Sequence, residues 1–492
     1  MADDAEGRSV TATDGLDART SDAMRALLAL EDDAPDALFE VLPGTTVPFW
    51  AQVRVQIAWA LSAQQTGSVA VESKSTWSRW GELRRVAKGY WPSRWDAVRR
   101  ARPHDVCFYV SGVTLSAEEG RARNWLVDDF AEATDDAVVV QARPLPSPIG
   151  APVFRPTLSL ESATARSRWR ARGKALTPGY AAGMSALLAD FARLLGQPSD
   201  AFTALGNRVL ASERLRPFQQ EELQRLIDRT RPRIVFYDNG SYTYNCEPIG
   251  LMKDAGVYVV EPQHGWIGPS HPAYNFGKLF ARPELRRGLP DEVLTFGSFW
   301  TDGIRHPGRV TSIGKPHLER QAALASGGRP NGILVVSSRT DPAATDAFVM
   351  QLRSGLPDSW SIVFRPHPGE REQTAERYPR LAEAEGVSVD LEPDVYESLK
   401  RSRVVLGEAS TVLFEATAFG CHVIARDSAF ADNVIGDAFG ARVADAAEAV
   451  VRLQQLISVT DLPSSDAAIW APGAVGSYRQ WLAGRRAELE SL

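Results

Sequence analysis

The sequence predicts an α/β protein of two consecutive doubly wound units, each a parallel sheet covered by helices on both faces. Three observations predict it. Short unbroken apolar runs recur along the chain, segments of helical period lie between them, and the series restarts near residue 311. Strands buried on both faces read as continuous apolar runs because crossover helices cover both sides of the sheet. In the first unit, placed at 36–310, the strand candidates are Val106–Val110, Ala137–Val140, Ile234–Tyr237 and Val257–Val260, with a helix at 176–196. In the second, at 311–475, they are Ile333–Val336, Ser361–Phe364, Val387–Val389, Val404–Leu406 and His422–Ala425. Helices are expected there at about 343–354, 375–384 and 411–419. Gly303–Gly314 is the expected linker, and 476–490 a C-terminal helix of mixed charge. Residues 1–22 are acidic and lack large apolar anchors to offset their ordering entropy, so a disordered tail is expected.

Composition narrows the function classes. The chain has 492 residues and a net charge of −6, which excludes a basic nucleic-acid-binding coat. The acid is concentrated at the start, where residues 1–40 hold eleven Asp and Glu against three Arg. Cys107, Cys246 and Cys421 are far apart and odd in number, giving neither a disulfide framework nor a metal spacing. No apolar run approaches the ~18–20 residues of a membrane span, and the acidic N-terminus has no apolar signal core. A cytoplasmic protein is expected, with any membrane association peripheral, on the inner face.

Four motifs carry chemistry, each just past a predicted strand, where doubly wound sheets bind ligands. Phe364-Arg365-Pro366-His367-Pro368 sets a guanidinium fork and an imidazole on a loop stiffened by two prolines. Ser410 and Thr411 open the helix after Val404–Leu406, so its N–H groups and dipole suit an anion; N-capping by Ser410 is compatible with that role. Glu415, one turn on, is a candidate acceptor of ribose hydroxyls. Ser338 and Arg339 follow the first strand of the second unit and are candidates for pyrophosphate contact. In the first unit, Gln263-His264-Gly265 follows a strand and His271 lies seven residues on; neutral His264 suits a general base. Asp238 is an alternative carboxylate base, or the start of an Asx-turn. Arginines interleaved with tryptophans at 77–100, and Arg166–Lys174, read as solvated helix faces or as surfaces for an anionic acceptor or lipid headgroups.

In this order, Arg365-Pro366-His367-Pro368, Ser410-Thr411 with Glu415-Ala416, and His264-Gly265 resemble GT-B glycosyltransferases of bacterial surface polysaccharide synthesis. The pattern is similar to that of CDP-glycerol glycerophosphotransferases, capsule Kdo transferases and polysialyltransferases, over about residues 230–425. The resemblance implies two Rossmann-like domains facing a central cleft and a nucleotide-sugar donor, CMP- or otherwise. The donor would be held by Ser338, Arg339, Arg365, His367, Ser410, Thr411 and Glu415. A polysaccharide or lipid-linked glycan acceptor would lie near Gln263, Gly265 and His271, with His264 or Asp238 as base. No metal and no other cofactor is expected. The Thr-Pro-Leu-Lys run that follows His-Gly in the glycerophosphotransferases is absent, which favours sugar over polyol-phosphate transfer. A CDP-glycerol-type polyol-phosphate transferase, a sugar-nucleotide 2-epimerase of the same fold and a catalytically silent nucleotide-binding scaffold of the polysaccharide machinery are the alternatives.

Overall fold

The computed structural model describes residues 20–66, 95–112, 114–142, 152–325, 331–339, 341–392, 394–457, 459, 463 and 465–491. Most of the expected acidic tail and most of the 77–100 Arg/Trp cluster lie outside them.

The first domain is a seven-stranded, all-parallel sheet. Its strands are β1 (Val106–Val110), β4 (Ala137–Gln141), β5 (Thr157–Ser159), β6 (Ile234–Tyr237), β7 (Tyr258–Pro262), β8 (Glu292–Thr295) and β9 (Arg309–Ser312). A small antiparallel hairpin, β2 (Leu115–Glu118) and β3 (Arg121–Asn124), stands beside it. The sheet order is β5-β4-β1-β6-β7-β8-β9. The second domain carries β10 (Gly332–Val336), β11 (Ser361–Arg365), β12 (Val387–Val389), β13 (Val404–Gly407) and β14 (His422–Ala425), all parallel, in the order β12-β11-β10-β13-β14. In both sheets the order reverses about the first strand. Each therefore has a switch point, between β1 and β6 in the first and between β10 and β13 in the second, where a crevice opens at the carboxyl ends. This is a GT-B-type arrangement of two Rossmann-like domains.

The central strands are apolar throughout because both faces are covered; β6 and β10 are buried at every position. In register, Phe108 stacks on Phe236 and Tyr109 on Tyr237 across β1 and β6. One apolar cluster spans the two domains, joining Ile267, Tyr274, Phe296 and Trp300 to Tyr396, Leu413 and Phe414. The carboxyl-end loops meet there, where Trp266 Nε1 donates to the Val434 carbonyl at 3.0 Å.

Four sequence expectations change. Ser21 caps a helix, Asp22–Asp33, whose Glu31 pairs with Arg54 at 2.6 Å with both side chains fully buried, so the first domain begins before residue 36. The segment Gly303–Gly314 contains β9, an edge strand of the first sheet, rather than only a linker. The 375–384 helix is one turn, Thr374–Arg377, after a 3-10 turn at Pro368–Gln373; it stops where Tyr378 turns into the core. The C-terminal helix, Ala474–Glu490, crosses back to the first domain and packs Tyr478, Trp481 and Leu482 on its sheet. At Gly297 a Cβ would collide with the Ala468 carbonyl of the returning chain.

Candidate functional site

The crevice of the second domain is built by the loops after β10 and β13. Ser338 Oγ accepts from the Ala409 N–H at 3.0 Å and so ties the two across the switch point. Ser410 is extended and its Oγ accepts from the Val412 N–H at 3.2 Å, capping the helix Thr411–Ala418 whose N-terminus opens on the crevice. Arg339 is exposed, in the left-handed region at φ 64°. Its guanidinium lies over Gly369, within 3.7 Å of where a Cβ would sit.

The His-Pro loop is held from beneath by buried Glu370. Its carboxylate accepts from Ser337 Oγ at 2.7 Å, from Tyr378 Oη at 2.9 Å and from the His367 N–H at 3.2 Å. His367 Nδ1 accepts from the Gly369 N–H at 3.1 Å. The remaining proton of the neutral ring is then on Nε2, a donor at the exposed tip of the loop. Desolvation and the charge of Arg339 lower the pKa of His367, so the ring is neutral at pH 7. Arg371, not singled out in the sequence, lies in the same cluster, where burial and the neighbouring Arg365 lower its pKa.

Two candidates in this domain point elsewhere. Arg365 is buried; its Nη1 donates to Asp390 at 2.6 Å and to Ser398 at 3.3 Å, and its Nη2 donates to the Glu392 carbonyl at 2.8 Å. The fork expected to meet phosphate braces β11 against the loop after β12. Glu415 is buried, and its carboxylate accepts from Lys315 Nζ and from Tyr396 Oη rather than facing the helix N-terminus. Its helical phase turns it into the domain seam.

In the first domain, Asp238 ends β6 and is buried. Its Oδ2 accepts from the N–H and hydroxyl of Ser111 across the switch point, and its Oδ1 from Asn239 Nδ2 at 2.8 Å. Both carboxylate oxygens are thus already engaged by donors of the protein. His264 differs: its Nδ1 is buried without a partner among the described residues. Desolvation lowers its pKa, and the charge of Asp238 opposes that. Gln263 fixes the loop, its Oε1 accepting from the Phe296 N–H and its Nε2 donating to the Gly265 carbonyl, both at 2.8 Å. A Cβ at Gly265 would meet nothing within 4 Å, so this side of the loop is open. His271 is in the core. Its Nδ1 accepts from the Ala273 N–H at 3.2 Å, its Nε2 lies 3.1 Å from Tyr242 Oη, and burial takes its pKa to about 3. The Tyr242 ring neighbours both histidines, its centroid 5.7 Å from that of His264 and 5.6 Å from that of His271. Glu261, another residue the sequence did not mark, is fully buried on β7 and pushed up to about 7, chiefly by desolvation.

A cavity of about 630 Å³ opens beside Asp238, lined by the ends of β1 and β6 and by the helices around them. Of the basic clusters, Arg166 is buried between Asp96 and Glu222 at 2.8 and 2.6 Å, and Arg170 pairs with Glu221 at 2.6 Å, so neither offers its charge to a surface. Trp169 is exposed, not in the core. Among the described residues no helix is long and apolar enough to cross a membrane, and no three His, Cys, Asp or Glu side chains group as metal ligands do.

No protein-family model matches the chain, and no curated protein matches it. Solved structures match at low identity. The UDP-GlcNAc 2-epimerase of Methanocaldococcus jannaschii is 10% identical with a TM-score of 0.46, the match covering 77% of this chain and 99% of that one. A Listeria monocytogenes protein assigned as a UDP-N-acetylglucosamine 2-epimerase is 12% identical with a TM-score of 0.47, over 79% and 98%. An Anabaena protein solved with UDP and glucose is 14% identical with a TM-score of 0.38, over 78% and 99%.

Proposed function

We propose that the chain is an enzyme acting on a nucleotide-activated sugar. The observation that carries this is the pair of switch-point crevices meeting at one seam, one furnished for an anion and the other with a neutral base. In the second domain His367 Nε2, Arg339 and the helix N-terminus at Ser410 and Thr411 would hold the donor phosphates, with Ser338 fixing the loop between them. These groups stabilise a leaving phosphate as its charge develops. In the first domain His264 would take the proton from an attacking hydroxyl, and Asp238 would support the imidazolium that forms.

The reaction we favour is transfer of the sugar to a glycan acceptor. The cavity beside Asp238 gives a second substrate a place, which a reaction of the donor alone does not need. The test is calorimetry with UDP, CDP, GDP and CMP and their sugars, followed by product analysis with and without glycan acceptors. Binding of one nucleotide, and sugar transfer only when an acceptor is present, is the expected result. A donor epimerised with no acceptor would move the chain to sugar-nucleotide 2-epimerisation, the activity in the names of two structures above. Absence of any nucleotide binding would overturn the proposal.

A further inference from the structure

The first-domain cavity has a wall chemistry that points to its occupant. Its floor is aromatic: Tyr109 and Tyr237 stack with centroids 4.8 Å apart and planes 8° from parallel. Most charged groups on its walls are matched within the protein. Glu213 pairs with Arg216 at 2.7 Å, Glu222 with Arg166 at 2.6 Å, and Glu247 accepts the N–H groups of Thr46 and Val47 at 2.7 and 2.9 Å. Arg208, exposed on the helix Thr203–Glu213, has no hydrogen-bond or ion-pair partner among the described residues. Gln56, from the helix Phe49–Thr66, lines the same space, and its Oε1 is buried with no partner among the described residues. A buried acceptor left unmatched is destabilising, and a donor on a ligand would relieve it.

These features suit one class of ligand. A sugar carries apolar C–H groups that can lie against the tyrosine side chains and hydroxyls that can donate to an amide oxygen, and a guanidinium pairs with a carboxylate or phosphate. We propose that this cavity binds a saccharide bearing an anionic substituent, with Arg208 on the acid group and Gln56 Oε1 on a hydroxyl. That the saccharide is the acceptor rests on the function proposed above; that it binds does not, and no nucleotide is needed for it.

Calorimetry on the full chain without nucleotide tests this, with trigalacturonate, maltose 1-phosphate and neutral maltotriose as probes. At least one acidic probe is expected to bind about tenfold or more tighter than maltotriose, and which one tells carboxylate from phosphate. Arg208→Ala, on the surface, should erase that preference, while Gln56→Leu should weaken acidic and neutral probes alike. Equal binding of acidic and neutral probes, no binding of either acidic probe, or a preference that survives Arg208→Ala would overturn the inference. Acid-sugar binding in a chain that binds no nucleotide would leave it standing and remove the proposed function. Nucleotide binding without acid-sugar binding would do the reverse.

Discussion

His264 and Asp238 are both candidates for the base, and the protein treats them differently. Both Asp238 oxygens are engaged by donors, whereas His264 is desolvated with one ring nitrogen unmatched among the described residues. His264 is therefore the base we propose. His264→Ala should lower turnover by about 10²–10⁴-fold with donor affinity nearly unchanged. Burial lowers the His264 pKa, so activity should rise with pH along a limb below about 6.5 and then level. Asp238 pulls that pKa upward, so Asp238→Asn should move the limb to lower pH; loss of turnover in Asp238→Asn with turnover largely kept in His264→Ala would return the role to the carboxylate. Arg365 and His367 separate in the same way. Arg365→Ala strands buried Asp390 and should cost about 3–5 kcal/mol in urea unfolding. His367→Ala should leave unfolding unchanged and weaken nucleotide binding by about 1.5–3 kcal/mol. Residue types past strand ends were legible from sequence alone. Where each side chain turns was not, because Arg365, Gln263 and Glu415 are engaged by Asp390, Phe296 and Lys315, partners 25, 33 and 100 residues away in the chain.

Among the elements, the C-terminal helix Ala474–Glu490 does more than its mixed charge announces. It begins beside the second domain, where Glu319 accepts the N–H groups of Gly473 and Ala474, and ends on the first. Tyr478 Oη lies 2.6 Å from Thr134 Oγ1, Arg486 pairs with Asp105 at 2.6 Å, and Arg485 pairs with fully buried Glu292 at 2.7 Å. Glu292 also accepts from Tyr258 Oη at 3.0 Å. Arg485→Met would leave that carboxylate buried without its cation, so a loss of about 3–5 kcal/mol is expected in denaturant unfolding. A loss below about 1 kcal/mol would show that the helix is an ornament on the sheet. The strands were read well where they are apolar throughout, as at 106–110, 234–237 and 333–336. β5, β8 and β9 escaped because they carry Thr, Ser, Glu or Arg among few apolar positions. Their pairing is supplied by neighbours in the sheet, not by local pattern. The same holds for Asp22–Asp33, whose acidic surface hid the Met24, Leu27 and Leu28 stripe that packs into the first core.

At the scale of the whole molecule the two domains are joined by a charge pair that no local motif reveals. Lys315 follows β9 and reaches across the seam to Glu415, both side chains largely buried. Its ammonium sits among aromatic rings from three parts of the chain, 4.8 Å from the Trp125 centroid, 5.1 Å from Phe296 and 5.8 Å from Trp470. Tyr396 Oη donates to the same Glu415 oxygen at 3.1 Å. Rings give a cation some of what water would, but they give a carboxylate nothing, so the two ends of the pair tolerate loss differently. Lys315→Met leaves Glu415 charged in a dry seam with one phenol donor, and should cost about 3–5 kcal/mol. Adding Glu415→Gln removes the stranded charge while its amide oxygen still accepts from Tyr396. The double variant should therefore recover at least about 2 kcal/mol of the loss, a coupling that two independent sites would not show. Urea unfolding of the two single variants and the double measures it. If the double variant loses as much as the sum of the singles, the pair is not what holds the seam, and the shared apolar cluster around Trp300 and Phe414 does so alone.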